Sequence, residues 1–277
     1  MSKSIPIRMV RSQRTGKLRL WPVFVFGMFF LVYYLSHQSE VPLTGRAQLV
    51  DISKEQEVAL GIQSYRQVLS QANVVASGPQ VEFVSRVVKQ LLPVVTEAQF
   101  DWEFSVVRSE EANAFALPGG KIVVYTGILP IVENDDGLAT VLGHEISHAV
   151  ARHGAERMAH EKLAQFAGMV VAMSMQDMEP GTQRMVYGAF GLGSRFGILL
   201  PFSREHESEA DYMGLIYLAR ACFNPEEAPK VWERMAKHGG SRPLEFLSTH
   251  PAPETRIQQF KRWMPEALVV RKKYCSH

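Results

Sequence analysis

Two histidines and a glutamate in the middle of the chain have a spacing that suits a zinc-dependent catalytic centre. His144 and His148 are four residues apart, and such residues are neighbours on one face of a helix. Two imidazoles placed in this way can hold one zinc ion and leave a position open for water. Glu145 would lie close enough to take a proton from that water. This HExxH pattern indicates metal-assisted peptide hydrolysis, and the rest of the sequence has to support it.

A catalytic zinc has three protein ligands, so a third must come from another part of the chain. The acidic segment Ser203–Asp211 supplies candidates, and within it Glu207 and Asp211 share one helix face. We predict Glu207 as the third ligand and Asp211 as the hydrogen-bond partner of a ligating imidazole. Glu209 would lie on another face. The other residues of a suitable type are Glu205 and His206. The alternative is a solvated acidic helix start, which the helix dipole favours.

The helix that would carry the HExxH residues has a recognisable start and an apolar side. Residues 134–137, Asn-Asp-Asp-Gly, supply candidate N-caps. Apolar residues follow at helical spacing, namely Leu138, Val141, Leu142, Ile146, Ala149 and Val150. The ligands are therefore expected on an amphipathic helix. Two further histidines, His153 and His160, miss the face of the ligands, and we expect them to be solvated or satisfied in the core.

Three short β-branched or aromatic segments before this helix predict a small meander. They cover residues 102–107, 113–117 and 121–125, and Pro-Gly-Gly separates the last two. An edge strand near a metal could pair with an extended peptide and hold its scissile bond over the zinc. The residues of that substrate strand would be Asn113, Ala114, Phe115 and Ala116. The alternative is an ordinary hairpin that only builds the core.

A histidine and an arginine near the C-terminus are candidates for further roles. His250 lies between Thr249 and Pro251, and Arg256 follows six residues later. Either side chain could donate to the oxyanion of a tetrahedral intermediate. His250 could instead occupy the fourth zinc position in a resting enzyme and hold it inactive. By sequence alone, a loop histidine capping a helix that starts near Pro253 is an equal alternative.

Taken together, these stretches resemble the HtpX and CaaX-prenyl-protease-type family of membrane zinc metallopeptidases. Within it they are most similar to the branch with the periplasmic proteases BepA and LoiP and the mitochondrial inner-membrane quality-control protease. The resemblance covers roughly residues 44 to 265, and the motifs occur in the family's order. The matching stretches are residues 44–46, 57–61, 113–127, 144–148, 200–211 and 248–251, with Arg256.

The resemblance implies a zincin-like (gluzincin) α+β fold and one Zn²⁺ per chain, with Glu145 as the general base. In the family the glutamate four residues before the aspartate binds zinc, which is Glu207 here, and the late His-Pro segment lies at the active site, which carries over to His250 and Arg256. The implied substrates are misfolded or misassembled envelope or membrane proteins, and outer-membrane assembly machinery is a possible partner. One rival is a zinc-containing assembly factor or chaperone with proteolysis normally shut off. Another, a prenyl-peptide protease, should need a multi-span membrane chamber.

The first 35 residues predict membrane attachment. Residues 1–19 carry six basic and no acidic side chains, and residues 20–35 form an uncharged apolar run of 16 residues. This run is slightly shorter than the usual span of ~17–25 residues. We predict an uncleaved single-span anchor in a bacterial inner membrane, with the basic end in the cytoplasm and the body in the periplasm. A cleaved signal and a mitochondrial presequence, with the body at the mitochondrial inner membrane, are alternatives.

The remaining sequence predicts a linker over 36–52, a metallopeptidase domain over 53–265 and a C-terminal tail over 266–277. Helical patterns cover residues 53–72, 79–95, 225–238 and 253–264, so the class is α+β, mostly helical with a small sheet. Outside the N-terminus, 24 basic residues face 28 acidic ones, which argues against a nucleic-acid partner. Cys222 and Cys275 could form one disulfide in an oxidising compartment, but the sequence does not say whether they meet.

Overall fold

The computed structural model describes residues 16–195, 199–238, 246, 250 and 253–275. Contacts within the chain divide it into two units. The smaller unit contains helix α1 (Trp21–Ser36) and residues His160–Leu200. The larger unit contains His37–Ala159 and the described residues from Pro201 onward, and every predicted site residue belongs to it.

A four-stranded sheet in the larger unit confirms the three predicted strands but not their order. The strands are β3 (Val74–Val75), β4 (Glu103–Val107), β5 (Ala114–Leu117) and β6 (Lys121–Tyr125). The order is β3-β4-β6-β5, with β4 and β6 parallel and the outer pairs antiparallel. The predicted meander is therefore wrong. Ile122, Val123 and Val124 have no exposed surface, so β6 takes a central place, where both faces are covered, and β5 lies at the edge.

The turn between β5 and β6 depends on two glycines. Gly119 and Gly120 have φ angles of +83° and +85°, which residues other than glycine rarely adopt. A Cβ atom on Gly120 would also lie 2.7 Å from the Cβ atom of Phe100. The Pro-Gly-Gly turn fixes the antiparallel register that pairs Leu117 with Lys121.

The predicted helices are confirmed, with small shifts at their ends except for the last, which continues 11 residues beyond the predicted range 253–264. Ser53 caps the helix that begins at Lys54 through a capping box with Gln56, and Asn134 caps the helix that begins at Asp135 by accepting from the Gly137 N–H at 2.8 Å. The helices are α2 (Lys54–Gln71), α3 (Pro79–Leu91), α4 (Leu129–Val132), α5 (Asp135–Val150), α6 (His153–Ser174), α7 (Pro180–Ser194), α8 (Leu200–Arg220), α9 (Glu227–His238) and α10 (Pro253–Cys275).

Helices α5 and α8 approach closely at a pair of glycines. A Cβ atom on Gly214 would lie 2.9 Å from the carbonyl carbon of Gly143, and one on Gly143 would lie 2.8 Å from Leu218. Only residues without a side chain permit this separation of the two backbones. The crossing sets the HExxH residues of α5 beside the acidic segment of α8. The α5 side chains Leu138, Leu142 and Ile146 are fully buried in the core.

The predicted linker over residues 36–52 is not a linker. It forms an antiparallel pair, β1 (Gln38–Glu40) and β2 (Ala47–Leu49), in which Leu49 is only 1% exposed. Gly45 adopts a φ of +69° in the connecting turn. Strands of three residues are too short for their alternation to be detected in a sequence.

The predicted tail over residues 266–277 is also wrong over its described part. Helix α10 continues to Cys275, which forms a disulfide with Cys222. Ala267 is fully buried, and Arg271 donates to the Phe223 carbonyl at 2.9 Å. The C-terminal helix is thus an integral part of the larger unit.

The smaller unit exposes much apolar surface. Helix α1 matches the predicted apolar segment to within one residue, and Arg19 just before it forms an ion pair with Asp177 at 2.8 Å. Exposed side chains on α1 include Phe24, Met28, Val32 and Leu35. Among the described residues, no helix combines the length and the apolar character needed to cross a membrane.

Candidate metal centre

Four side chains bring their donor atoms together between α5 and α8. They are His144 and His148 of α5, Glu207 of α8, and His250, and their donor atoms all lie within 4.8 Å of one another. The Nε2 atoms of His144 and His148 are 3.0 Å apart. The Glu207 carboxylate oxygens lie 3.4 Å and 3.5 Å from these two nitrogens. The cluster unites both predicted histidine ligands with the predicted third ligand.

The separations suit a small tetrahedral ion. Zinc bonds of about 2.0–2.1 Å to nitrogen and oxygen place two tetrahedral ligand atoms roughly 3.3 Å apart. Five of the six pairs among the four side chains have donor atoms 2.8 Å to 3.5 Å apart. Imidazole nitrogen and carboxylate oxygen are the donor types of catalytic zinc sites. The residues present therefore fit zinc.

Glu145 lies beside the cluster with an unused acceptor. Its side chain is 4% exposed, and its Oε1 atom has no hydrogen-bond partner among the described residues. The Nε2 atom of His250 lies 3.4 Å from it. Burial raises the pKa of the carboxyl group. A buried carboxylate oxygen without a partner is costly in a folded protein, and at a reaction centre it is free to bind water or substrate.

Behind His144, two buried charges hold the cluster in place. Asp211 Oδ1 lies 3.0 Å from Nδ1 of His144, as predicted for a carboxylate that supports a ligand. Arg256 donates to both oxygens of Asp211 at 2.5 Å and 2.6 Å, and to Glu207 at 3.2 Å. Its guanidinium also lies 3.4 Å from the centre of the Trp232 ring. Asp211 and Arg256 together fix the positions of His144 and Glu207.

This placement of Arg256 differs from the oxyanion donor that the sequence predicted. The residue is 2% exposed, and its donors are directed at the carboxylates of Asp211 and Glu207 and at the His250 carbonyl. A guanidinium whose N–H groups already donate to protein oxygens is not positioned to donate to a substrate oxyanion. Sequence spacing located it near the site but could not show which way it faces.

Burial and neighbouring charges shift the pKa values of the cluster's side chains in different directions. Burial and Arg256 lower the pKa of His144, but hydrogen bonds with Asp211 and Glu207 outweigh them and raise it to about 9. Burial lowers the pKa of His148 well below its ordinary value. Burial alone would raise the pKa of Glu207, but the imidazoles of His148, His144 and His250 hold it well below the ordinary range. Glu207 is therefore an ionised ligand at neutral pH.

His250 belongs to the ligand cluster itself. Its Nδ1 atom lies 2.8 Å from Glu207 Oε2 and 3.2 Å from Nε2 of His144. The ring stacks on Phe246, with 4.6 Å between the ring centres. Of the two roles predicted near the zinc, this position favours occupation of the fourth ligand place. The neighbouring residues Ser248, Thr249 and Pro251 lie outside the described part of the chain.

The predicted substrate strand forms an edge of the sheet. Ala114, Phe115 and Ala116 belong to β5, which pairs on one side with β6. Asn113 comes just before it, and its carbonyl accepts from the Tyr125 N–H at 3.0 Å. Among the described strands, β5 is terminal in the order, so its second edge pairs with none of them.

The other candidate ligands on α8 do not join the cluster, and a further histidine, His153, contacts the ligand His148. Glu205 is exposed, and His206 lies 2.9 Å from Glu156. Glu209 contacts His153 at 3.1 Å. His153, expected to be solvated or satisfied in the core, is buried, and its Nδ1 atom lies 2.8 Å from Nδ1 of His148. Its position five residues after His148 gave no sign of this contact, because α5 ends at Val150 and a new helix begins at His153.

The cluster, the buried Glu145 beside it and the helical scaffold define a metal-dependent hydrolase. The sequence pattern described as peptidase family M48 matches residues 80–264. The chain belongs to peptidase family M48. Its cofactor is zinc and its substrates are proteins, so it is a zinc metalloendopeptidase. The resemblance inferred from the motifs is confirmed.

Individual relatives agree with this assignment. The mitochondrial metalloendopeptidase OMA1 of Schizosaccharomyces pombe is 39% identical over 245 residues, which cover 87% of this chain and 70% of that protein. The human mitochondrial metalloendopeptidase OMA1 is 31% identical, with 91% of this chain and 51% of the relative covered. The beta-barrel assembly-enhancing protease of Yersinia pestis is 29% identical, with 80% and 47% covered. The chain thus spans about half the length of the last two.

Proposed function

We propose that this protein is a membrane-attached zinc endopeptidase that removes misfolded or misassembled membrane or envelope proteins. The observation that supports it most is the four-residue donor cluster beside a buried Glu145 whose Oε1 has no partner among the described residues. The names of the relatives, metalloendopeptidase and beta-barrel assembly-enhancing protease, support the wider role. Outer-membrane assembly machinery is a partner we infer for this chain from the second of those names.

In the proposed mechanism, His144, His148 and Glu207 hold the zinc. Zinc at this place would polarise the scissile carbonyl and acidify a water molecule. Glu145 takes a proton from the attacking water and passes it to the departing amine nitrogen. Its raised pKa moves the carboxyl towards the working pH, which suits a group that must both accept and release a proton. Asp211 and Arg256 keep the ligands in place throughout.

The substrate backbone is proposed to pair with β5. Asn113, Ala114, Phe115 and Ala116 form or adjoin an edge strand that packs on α5, the helix of the ligands. Backbone pairing accepts many sequences, because the hydrogen bonds come from main-chain groups. Such tolerance fits a protease whose substrates share an unfolded state and not a sequence.

We propose that α1 attaches the enzyme to a membrane. Its exposed apolar side chains and the six basic residues of the first 19 support this placement, with the basic end in the cytoplasm of a bacterium and the metallopeptidase unit in the periplasm. The Cys222–Cys275 disulfide supports an oxidising compartment for that unit. The mitochondrial inner membrane is the alternative, and the similarity to the mitochondrial metalloendopeptidases OMA1 supports a mitochondrial location.

The test uses the full-length chain in detergent with one equivalent of zinc and a reduced, alkylated protein as substrate. We expect cleavage by the wild type, abolished by a chelator, and a rate at least about 100-fold lower in Glu145→Gln, because a general base contributes roughly 10²–10⁴-fold. Zinc content should stay the same in that variant. Cleavage that persists in Glu145→Gln or in the presence of chelator would contradict the proposal.

The position of His250 favours a second candidate, an assembly factor or chaperone whose proteolysis is normally shut off. With Nδ1 only 2.8 Å from Glu207, the imidazole competes with water for the fourth ligand place. If the wild type binds zinc but cleaves nothing, His250→Ala should release cleavage under this candidate. A loss of existing activity in His250→Ala would instead support the role of His250 as an oxyanion donor.

A further inference from the structure

A line of buried and partly buried polar side chains extends from the back of His148 to the turn between β1 and β2. Nδ1 of His148 lies 2.8 Å from Nδ1 of His153, and Nε2 of His153 lies 3.1 Å from Glu209 Oε2. Arg46 donates to the same oxygen of Glu209 through Nε at 2.8 Å, and the Thr44 hydroxyl donates to the other oxygen. His153 is 3% exposed and Glu209 is 8% exposed.

Hydrogen-bond chemistry allows one arrangement of protons along this line. His148 presents Nε2 to the metal cluster, so its proton must be on Nδ1. That N–H donates to Nδ1 of His153, which must then be unprotonated. The proton of His153 is therefore on Nε2, where it donates to Glu209. A carboxylate that accepts from Arg46 and Thr44 can only accept here, and so the direction of every bond is fixed.

The turn that holds Glu209 is itself well anchored. The Val41 N–H donates to the Arg46 carbonyl at 2.8 Å, and the Gly45 N–H donates to the Val41 carbonyl at 2.9 Å. Arg46 also makes two bonds to Glu156, at 2.7 Å and 2.9 Å. Its guanidinium is thus held between two carboxylates, Glu209 and Glu156. The end of the line far from the metal is held by hydrogen bonds to both its main chain and its guanidinium.

We propose that His153 is a positioning residue for the zinc ligand His148, and that Glu209, Thr44 and Arg46 select its working tautomer. The inference rests on the proposed role of His148 as a zinc ligand. A ligating imidazole whose second nitrogen is held by an acceptor keeps its orientation and gains basicity, and loss of such a partner typically weakens metal binding 10–100-fold. The β1–β2 turn is in this way a working part of the metal centre.

Packing alone could also explain a buried His153, because its ring stacks on His206 with 4.1 Å between centres and 9° between planes. Three substitutions separate packing from hydrogen bonding. His153→Phe keeps a stacking ring but removes both nitrogens. His153→Asn removes the ring but keeps an acceptor near the place of Nδ1. His206→Phe is the matched control, because it alters the same stack and leaves the contact between His153 and His148 in place.

The experiment measures zinc affinity of the full-length proteins by competition with a chromogenic chelator, and thermal unfolding of each metal-free form. The absorption spectrum of the Co²⁺-substituted proteins reports the geometry of the ligands. We expect a 10–100-fold loss of zinc affinity and an altered Co²⁺ spectrum in His153→Phe, with affinity largely retained in His153→Asn. His206→Phe should bind zinc as the wild type does, whatever its thermal stability.

Equal zinc affinity in His153→Phe and wild type would overturn the inference. It would also be overturned by equal losses in His153→Phe and His206→Phe, since packing would then be the cause. A wild-type protein that binds no zinc would contradict the proposed function itself, and the two failures are thereby distinguished.

Discussion

The two histidines of α5 are held from behind in different ways. His144 faces the Asp211 carboxylate at 3.0 Å, and that carboxylate is paired with the guanidinium of Arg256. His148 faces another imidazole, His153, at 2.8 Å, and reaches a carboxylate only through it. One support is a buried ion pair in direct contact with the ligand. The other is a neutral relay.

The difference explains why the two imidazoles titrate in opposite directions. Burial favours the neutral form of both, but hydrogen bonds to Asp211 and Glu207 raise the pKa of His144 to about 9. His148 has only a neutral partner behind it, because burial lowers the pKa of His153 to about 4 despite its bond to Glu209. Burial therefore prevails at His148, and its pKa is lowered. The pKa of a histidine on this helix therefore depends on the group that contacts its second ring nitrogen.

The largest effect is expected from removing the charge behind His144. Asp211→Asn should lower zinc affinity 10–100-fold and reduce the free energy of unfolding by about 3–5 kcal/mol, because Arg256 loses its main partner while buried. The matched change on the other side is Glu209→Gln, two residues earlier on α8. Its amide oxygen can still accept from neutral His153, so zinc affinity should fall less. Chelator competition and urea unfolding measure both quantities. Equal losses in the two variants would remove the distinction between the supports.

A second effect follows from the pKa of His144 in the metal-free protein. A raised pKa means that the stabilisation is complete below the ordinary value of 6.5 and is lost as the pH rises to about 9. The loss should be roughly 3 kcal/mol, at 1.36 kcal/mol per pKa unit. His148 contributes nothing over this range, since its lowered pKa affects stability only at lower pH. Urea unfolding of the metal-free protein, prepared with a chelator, at pH 6.5 to 9 measures how the unfolding free energy depends on pH.

Matched variants on α5 test which histidine is responsible. His144→Asn should flatten the dependence of the unfolding free energy on pH above 6.5, and His148→Asn should leave it as in the wild type. If both variants keep the wild-type slope, a different group titrates in this range, and the contrast drawn between the two imidazoles would not hold.

The support behind His144 could be predicted from the sequence, and the support behind His148 could not. Glu207 and Asp211 are four residues apart, so a helix places them on one face whatever the surrounding fold. His153 lies beyond the end of α5, and its direction depends on the bend between α5 and α6. Nothing in the local spacing encodes that bend, although Arg152 adopts a positive φ of 59° within it.

The residues of the relay that are most distant in sequence from His148 are brought to it by tertiary structure alone. Arg46 lies 163 positions from Glu209 and reaches it through a two-stranded hairpin that the sequence suggested was a linker. Similarly, the order of the strands depends on which segment is most deeply buried, and β6 has that place. Motif spacing fixes what a single helix carries. It does not fix which loop or turn approaches that helix from elsewhere.

The smallest effect is expected at the far end of the relay, where Glu156 holds Arg46. Burial would raise the pKa of Glu156, but hydrogen bonds from Arg46 and His206 lower it to about 2. A lowered pKa means that the stabilisation is present above the ordinary value of 4.5 and is lost as the pH falls towards 2. Glu156→Gln should cost about 1–3 kcal/mol of unfolding free energy at pH 7, with zinc affinity within a few-fold of the wild type because Glu209 still holds Arg46.

The stability difference between Glu156→Gln and wild type should therefore shrink as the pH falls from 4.5 towards 2, which urea unfolding at pH 7, 5, 4 and 3 would follow. Glu82→Gln, an exposed carboxyl of α3, is the control and should change the unfolding free energy by less than about 0.5 kcal/mol. A loss of zinc affinity in Glu156→Gln as large as in Asp211→Asn would contradict the contrast between the two supports, because zinc binding would then depend as strongly on the far end of the relay as on the carboxylate behind His144. The relay behind His148 would then be as rigidly coupled to the metal as the ion pair behind His144.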